Sequence, residues 1–165
     1  MNWLRHSGLL VGILTLSSCY RLGSPPTLGE TVRLEVVSNK GKLVRSQGYL
    51  VDAVGKALLL QLGWHVGPTG TAVLTLMIDE EAIDAGSHNP DGVTDSWVIR
   101  IRGHALLVAR GGSVTGSFTG VGNATGLATA QGEPQALQQA AQQAADDLTT
   151  WLDVRARELT VGEKK

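Results

Sequence analysis

WVIRIRGHALLVARGGSVTGSFTGVG, residues 97–122, is the stretch that decides the fold. Trp97, Ile99, Ile101, Ala105 and Leu107 alternate with Arg100, Arg102 and His104. A two-residue period of this kind is a strand with one buried and one wet face. Arg110 ends the run, and ARGGS (109–113) supplies the glycines of a tight turn. SVTGSFTGVG (113–122) then returns with Val114 and Phe118 on one side. Two such runs joined by Gly-Gly predict an antiparallel hairpin. Gly116, Gly120 and Gly122 thin the inward side of the return strand, which points to an edge, a bend or the close approach of another backbone.

On the C-terminal side of the hairpin, Pro134 stands where a first helical residue belongs. Leu137, Ala141, Ala144, Leu148, Trp151 and Leu152 form a stripe through an alanine- and glutamine-rich segment. The stripe predicts a helix of about 18 to 22 residues that lies close to a sheet through its alanines. Charged residues follow in VRARELTVGEKK, and 158–165 are assigned to a tail. On the N-terminal side, DAGSHNPDGVTD (84–95) reads as a polar turn. Before it, Ala72, Leu74, Leu76 and Ile78 share one face of a strand over 71–78. WHVGPTGT (64–71) is a short strand or extended arm with a turn. Further upstream the period changes: Leu50, Val54, Leu58 and Leu62 recur at i, i+4, with Val51, Ala57 and Leu59 widening the stripe. This is an amphipathic helix that begins between Leu43 and Tyr49 and stops at Gly63. SNKGK (38–42) is a turn, and TVRLEVV (31–37) a half-buried first strand with Val32, Leu34 and Val36 on its apolar side. The order is strand, helix, two or three strands in a meander, helix. An α+β two-layer sandwich, with one mostly antiparallel sheet packed against two helices, buries both helical stripes in a single domain over 31–157.

The chain starts MNWLRHSGLLVGILTLSSC. Arg5, the apolar run Leu9 to Leu16, and the small residues Ser17 and Ser18 have the layout of an export signal over 1–18. The apolar run is shorter than the roughly 20 residues a spanning helix needs. LSSC (16–19) resembles a bacterial lipobox, which makes Cys19 the acylated first residue of the mature chain. Cys19 is the single cysteine, so no disulfide partner exists within the chain. A free thiol in an oxidising compartment is a liability, whereas a thioether is inert. Several acyl chains together anchor a protein stably without a transmembrane helix. YRLGSPPTLGE (20–30), with two prolines and two glycines, completes a lipidated tether over 19–30. Tyr20, in place of the Asp that retains lipoproteins in the inner membrane, directs the expectation to the periplasmic face of the outer membrane.

Removal of the first 18 of 165 residues leaves 147, enough for one core. Arg5 is the only one of the 14 basic residues lost, leaving 13 against 15 acidic ones. That balance lacks the basic excess expected of a nucleic-acid binder, and no nucleic-acid partner is expected. No catalytic residue, metal site or cofactor is expected either. His65, His88 and His104 have no metal-ligand spacing. Asp79, Glu80, Glu81 and Asp84 read as a solvated loop boundary at a strand end. The serines at 113 and 117 lack a nucleophile elbow. Arg100 and Arg102 are the candidate site: two guanidinium groups on one side of a strand, with His104 next in line, can receive phosphate or carboxylate. The same pattern is also what the solvent face of any half-buried strand presents.

Cys19 to Gly23, CYRLG, resembles the mature N-terminus of the LptE family of lipopolysaccharide-assembly lipoproteins, commonly Cys-Gly-Tyr-Xaa-Leu, and lacks its glycine after the cysteine. The order of elements is similar too. The resemblance implies a non-enzymatic lipoprotein held at the outer membrane by its acyl anchor. Such a protein plugs an LptD-like outer-membrane β-barrel, helps it assemble and engages lipopolysaccharide. The slim, hydroxyl-rich segment 111–132 suits a polar barrel wall. The other reading of the chain is a periplasmic accessory lipoprotein that binds a peptidoglycan synthase or a secretion pore.

Overall fold

A computed structural model describes residues 31–38, 45–88, 90, 94–125 and 129–161. The signal segment, Cys19 and the tether therefore lie outside the described residues, as do 162–165 of the tail. The elements are β1 (Thr31–Ser38), α1 (Gln47–Leu62), β2 (His65–Val66), β3 (Ala72–His88), β4 (Thr94–Ala109), β5 (Gly112–Thr125) and α2 (Thr129–Val161). One sheet runs β2-β1-β3-β4-β5. β1 is parallel to both its neighbours, whereas the long β3–β4 and β4–β5 ladders are antiparallel. Both helices pack on one face of the sheet, giving the α+β two-layer arrangement expected.

Local chemistry explains most boundaries. α1 buries Leu50, Val54, Leu58 and Leu62 and ends at Gly63, whose φ of 69° lets the chain turn back with its N–H on the carbonyls of Leu58 and Leu59. The core gathers Val32, Leu74, Leu76, Ile99, Ile101, Leu107 and Phe118 from the sheet under Leu50, Leu58, Leu148 and Leu152 from the helices. Gln61 of α1 and Thr149 of α2 meet across the helix pair, Thr149 Oγ1 donating to Gln61 Oε1 at 2.6 Å.

β5 and α2 fit one another closely. A Cβ added at Gly120 would collide with the carbonyl oxygen of Ala140, and one at Gly122 with that of Ala136. The missing side chains let the helix backbone settle on the strand. Two of the outcomes the glycines allow are realised: β5 is an edge strand of the sheet, and another backbone approaches it closely at Gly120 and Gly122, while Gly116 makes room for the Trp151 ring.

Two boundaries depart from the sequence expectation. α2 starts at Thr129, five residues before Pro134, and reaches Val161, into the segment assigned to the tail. Pro134 is thus the sixth helical residue rather than the first, and its missing N–H leaves the carbonyl of Ala130 without the i→i−4 bond it would otherwise accept. β3 and β4 run on to His88 and from Thr94, so the polar stretch 84–95 is mostly strand. Its polarity reflects solvent exposure at the far end of the hairpin.

Candidate functional site

The sheet face away from the helices is uncovered among the described residues, and Arg100 and Arg102 stand on it. Alternation along β4 sends Ile99, Ile101 and Leu107 into the core and Arg100, Arg102 and His104 outward. β3 cannot do the same without a correction. Ala72, Leu74, Leu76 and Ile78 face the core, and strict alternation would send Glu80 and Asp84 inward as well. The register instead shifts between Ile78, opposite Gly103, and Glu80, opposite Arg102, leaving Asp79 as the extra residue of a β-bulge. Beyond the bulge the parity is reversed. Glu80 and Asp84 join the outer face, while Glu81 and Ile83, opposite Ile101 and Ile99, join the helix face.

A cross-strand ladder of two ion pairs and one histidine–carboxylate contact results. Arg100 donates to Asp84 at 2.8 Å, Arg102 lies 3.7 Å from Glu80, and His104 Nδ1 contacts an Asp79 carboxylate oxygen. Every member except Asp79 has about half or more of its side chain in solvent. The two guanidinium groups are thus a paired row, not a bare one. The acidic cluster is likewise not a loop boundary: its four members sit inside β3.

On one flank of the ladder, β5 presents the hydroxyls of Ser113, Thr115, Ser117 and Thr119, all exposed. Its glycines face α2, so within 111–132 the slim side of the strand Gly112–Thr125 meets the helix and its hydroxyl side meets solvent, whereas 129–132 already belong to α2. At the other end of the same face lies a partly exposed apolar group: Val37, Val73, Met77, Leu106 and Val108. Sequence reasoning passed over this group. The signal was present in the unbroken run ALLVA (105–109), which is apolar where strict alternation would put polar residues at 106 and 108.

Glu81 was also missed. The bulge turns its carboxylate toward the start of α1, where Oε1 accepts from the backbone N–H of Arg45 (3.2 Å) and Oε2 from that of Ser46 (2.7 Å). The Ser46 side chain makes no capping bond, so a residue from the sheet supplies the anionic cap that a helix N-terminus favours. Nearby, Arg45 also pairs with Glu133 of α2.

His65, His88 and His104 stand on β2, the end of β3 and the middle of β4, and are not brought together. Among the described residues no three of His, Cys, Asp and Glu form a group that could hold a metal ion. No helix among them is long and apolar enough to cross a membrane.

No protein-family model matches the chain, and no curated protein matches its sequence. Solved structures do match in fold. A Xanthomonas campestris protein of the DUF330 family is 15% identical, with 78% of this chain and 86% of that one covered and a TM-score of 0.57. A minor lipoprotein from Acinetobacter baumannii is 14% identical over 76% of this chain and 94% of its own, with a TM-score of 0.50. Rare lipoprotein B from Shewanella oneidensis is 14% identical over 78% and 98%, with a TM-score of 0.48. The fold is therefore one shared with the Xanthomonas campestris protein and with a bacterial minor lipoprotein.

Proposed function

We propose that the chain is a non-enzymatic outer-membrane lipoprotein of the LptE kind. Anchored through Cys19 and facing the periplasm, it plugs an LptD-like β-barrel and helps it assemble for lipopolysaccharide transport. The observation that carries this reading is the uncovered sheet face, attached to a chain with a lipobox. The fold shared with a minor lipoprotein agrees with that assignment.

The physical case lies in the composition of the face. A barrel lumen is lined with polar groups. A surface whose carboxylates already carry cations, flanked by a row of hydroxyls, is nearly neutral and can exchange hydrogen bonds with such a wall. A bare row of charges would lose far more hydration on entry. The apolar group at Val73, Met77, Leu106 and Val108 gives the same face a dry contact.

Arg100 and Arg102 are proposed to meet lipopolysaccharide phosphates. Exposed ion pairs are worth little, so each guanidinium can leave its carboxylate for a doubly charged phosphate. With the mature protein in detergent, Arg100→Ala with Arg102→Ala should weaken lipopolysaccharide binding and flatten its salt dependence. Unchanged binding would remove these two residues from the proposal. The wider reading is tested by recovering the acylated protein from detergent-solubilised membranes and identifying by mass what stays attached. A large outer-membrane β-barrel is the expected companion; a peptidoglycan synthase or a secretion pore in its place would overturn the assignment.

A further inference from the structure

We propose that the flank of α1 beside β2 rests on the surface of the bilayer that holds the chain's own acyl anchor. The inference rests on the acylation of Cys19 and needs no protein partner. Val51, Gly55 and Leu59 follow at i, i+4 along α1, and Val66 of β2 lies over Gly55, its Cγ2 4.0 Å from where a Cβ would stand. Val51, Leu59 and Val66 are 42%, 47% and 44% exposed, so three apolar side chains form one patch joined across the gap at Gly55. Leu60, on the adjoining side of the helix, is 82% exposed. Single exposed apolar residues are ordinary. A contiguous set that spans a helix flank and a strand edge marks a contact.

The position of the anchor identifies what that contact is. Thr31 pairs with His65 and Val32 with Val66, so the strand that the tether enters begins beside the patch. Cys19 lies 12 residues before Thr31, and 12 extended residues span at most about 40 Å. The anchor is therefore tied within about 40 Å of Thr31, which sits beside the Val66 corner of the sheet. A short tether also gives an effective concentration in roughly the millimolar range, which populates a contact too weak to recruit an untethered protein.

The size and charge of the patch agree. A few side chains fall far short of the roughly 800 Å² per partner that a stable protein interface buries, whereas a bilayer demands no matching surface. The neighbouring charges on α1 are already paired, Lys56 with Asp52 at 2.6 Å, so anionic headgroups meet no net repulsion from them. Contact on this flank leaves the outer sheet face free for a protein partner.

The test uses the full mature protein in vesicles of phosphatidylethanolamine and phosphatidylglycerol. Because acylated Cys19 has no free thiol, Leu59→Cys can carry a nitroxide as the single labelled site, with Ser117→Cys on the outer sheet face as the control. Collision with a polar nickel complex should fall severalfold at 59, and collision with oxygen should rise, while the label at 117 stays in water. Equal exposure at the two positions would overturn the proposal. So would protection at 59 without vesicles, which a second copy would give, or protection that needs an added membrane protein. Intact mass separates the premise from the inference: a mature chain without acyl mass removes the anchor and the docking with it, whereas an acylated chain with position 59 in water removes the docking alone.

Discussion

At the β5 edge of the sheet, the amide N–H groups of Thr119, Val121 and Asn123 donate to Asp147, Gln143 and Gln139 at 2.9, 2.8 and 3.1 Å. At the opposite edge, β2 pairs with only Thr31 and Val32 of β1, and beyond Val32 no further strand joins it among the described residues. One edge is closed by a row of helix side chains; the other is left with a two-residue strand. The difference follows the hazard each presents. β5 is 14 residues long and regular, a template on which another chain could add a strand. β1 is 8 residues long, with charged Arg33 and Glu35 on its outer side. Closing β5 is possible because Gln139, Gln143 and Asp147 recur at i, i+4 on α2, and because Gly120 and Gly122 let that helix come near enough for short side chains to reach the strand.

The largest expected effect comes from undoing that approach. Gly122→Val puts side-chain atoms where the Ala136 carbonyl stands, and neither backbone can yield without lifting α2 from β5. A loss of about 3 kcal/mol in urea unfolding is expected, the upper range for overpacking. A loss below about 1 kcal/mol would mean that the closed edge does not depend on close backbone contact.

Removing the acceptors while keeping the approach sharpens the comparison. Gln139→Ala, Gln143→Ala and Asp147→Ala together should cost about 1 to 2 kcal/mol, low for three hydrogen bonds because all are exposed. Amide exchange should quicken at Thr119, Val121 and Asn123, and sedimentation should become concentration dependent. A variant that loses stability yet stays monomeric at high concentration would show that the row does not protect the edge.

How much of this was legible in the sequence depends on where alternation holds. β1, the stop of α1 at Gly63, the hairpin at 109–113 and the crowded glycines of β5 follow from periods and turn residues that no distant contact disturbs. The charge ladder does not. Asp79, Glu80, Glu81 and Asp84 form one acidic cluster in sequence, yet the bulge sends Glu81 to a helix and the other three to the outer face. A bulge is set by the partner strand's register, which a linear reading of β3 does not contain. The row of Gln139, Gln143 and Asp147 was visible as spacing, but only the docked helix shows what it bonds. The expectation of lipidation at Cys19 rests on local sequence chemistry alone, and Cys19 lies outside the described residues.

On the side of the open edge, α1 is fastened by Glu81, and a third prediction asks whether one carboxylate matters there as the row does at β5. Glu81→Ala leaves the N–H groups of Arg45 and Ser46 without their acceptor and should cost about 1 kcal/mol, the usual worth of a helix cap. Glu81→Gln keeps an acceptor but loses the charge that the helix dipole favours, and should recover part of the loss. Hydrogen exchange confined to the first turn of α1 would report the cap directly. Equal stability of all three proteins would show that water caps the helix as well.

The smallest effect is expected between the edges, in the ladder itself. Arg100 and Asp84 are 2.8 Å apart, but about half of each side chain is in solvent. Coupling of such a pair is screened and offset by the cost of ordering two side chains, so a double-mutant cycle with Arg100→Ala and Asp84→Ala should return about 0.2 to 1 kcal/mol, falling as salt is raised. A coupling well above that range, insensitive to salt, would make the outer face a stabilising network and move the mechanical centre of the sheet from the sealed edge to its middle. A small, salt-sensitive coupling leaves the ladder's value elsewhere: paired charges add little to folding, keep the face nearly neutral, and can be exchanged for a partner's groups at low cost. That exchangeability separates this surface from the hydrogen bonds of the β5 edge, whose loss the fold would register at once.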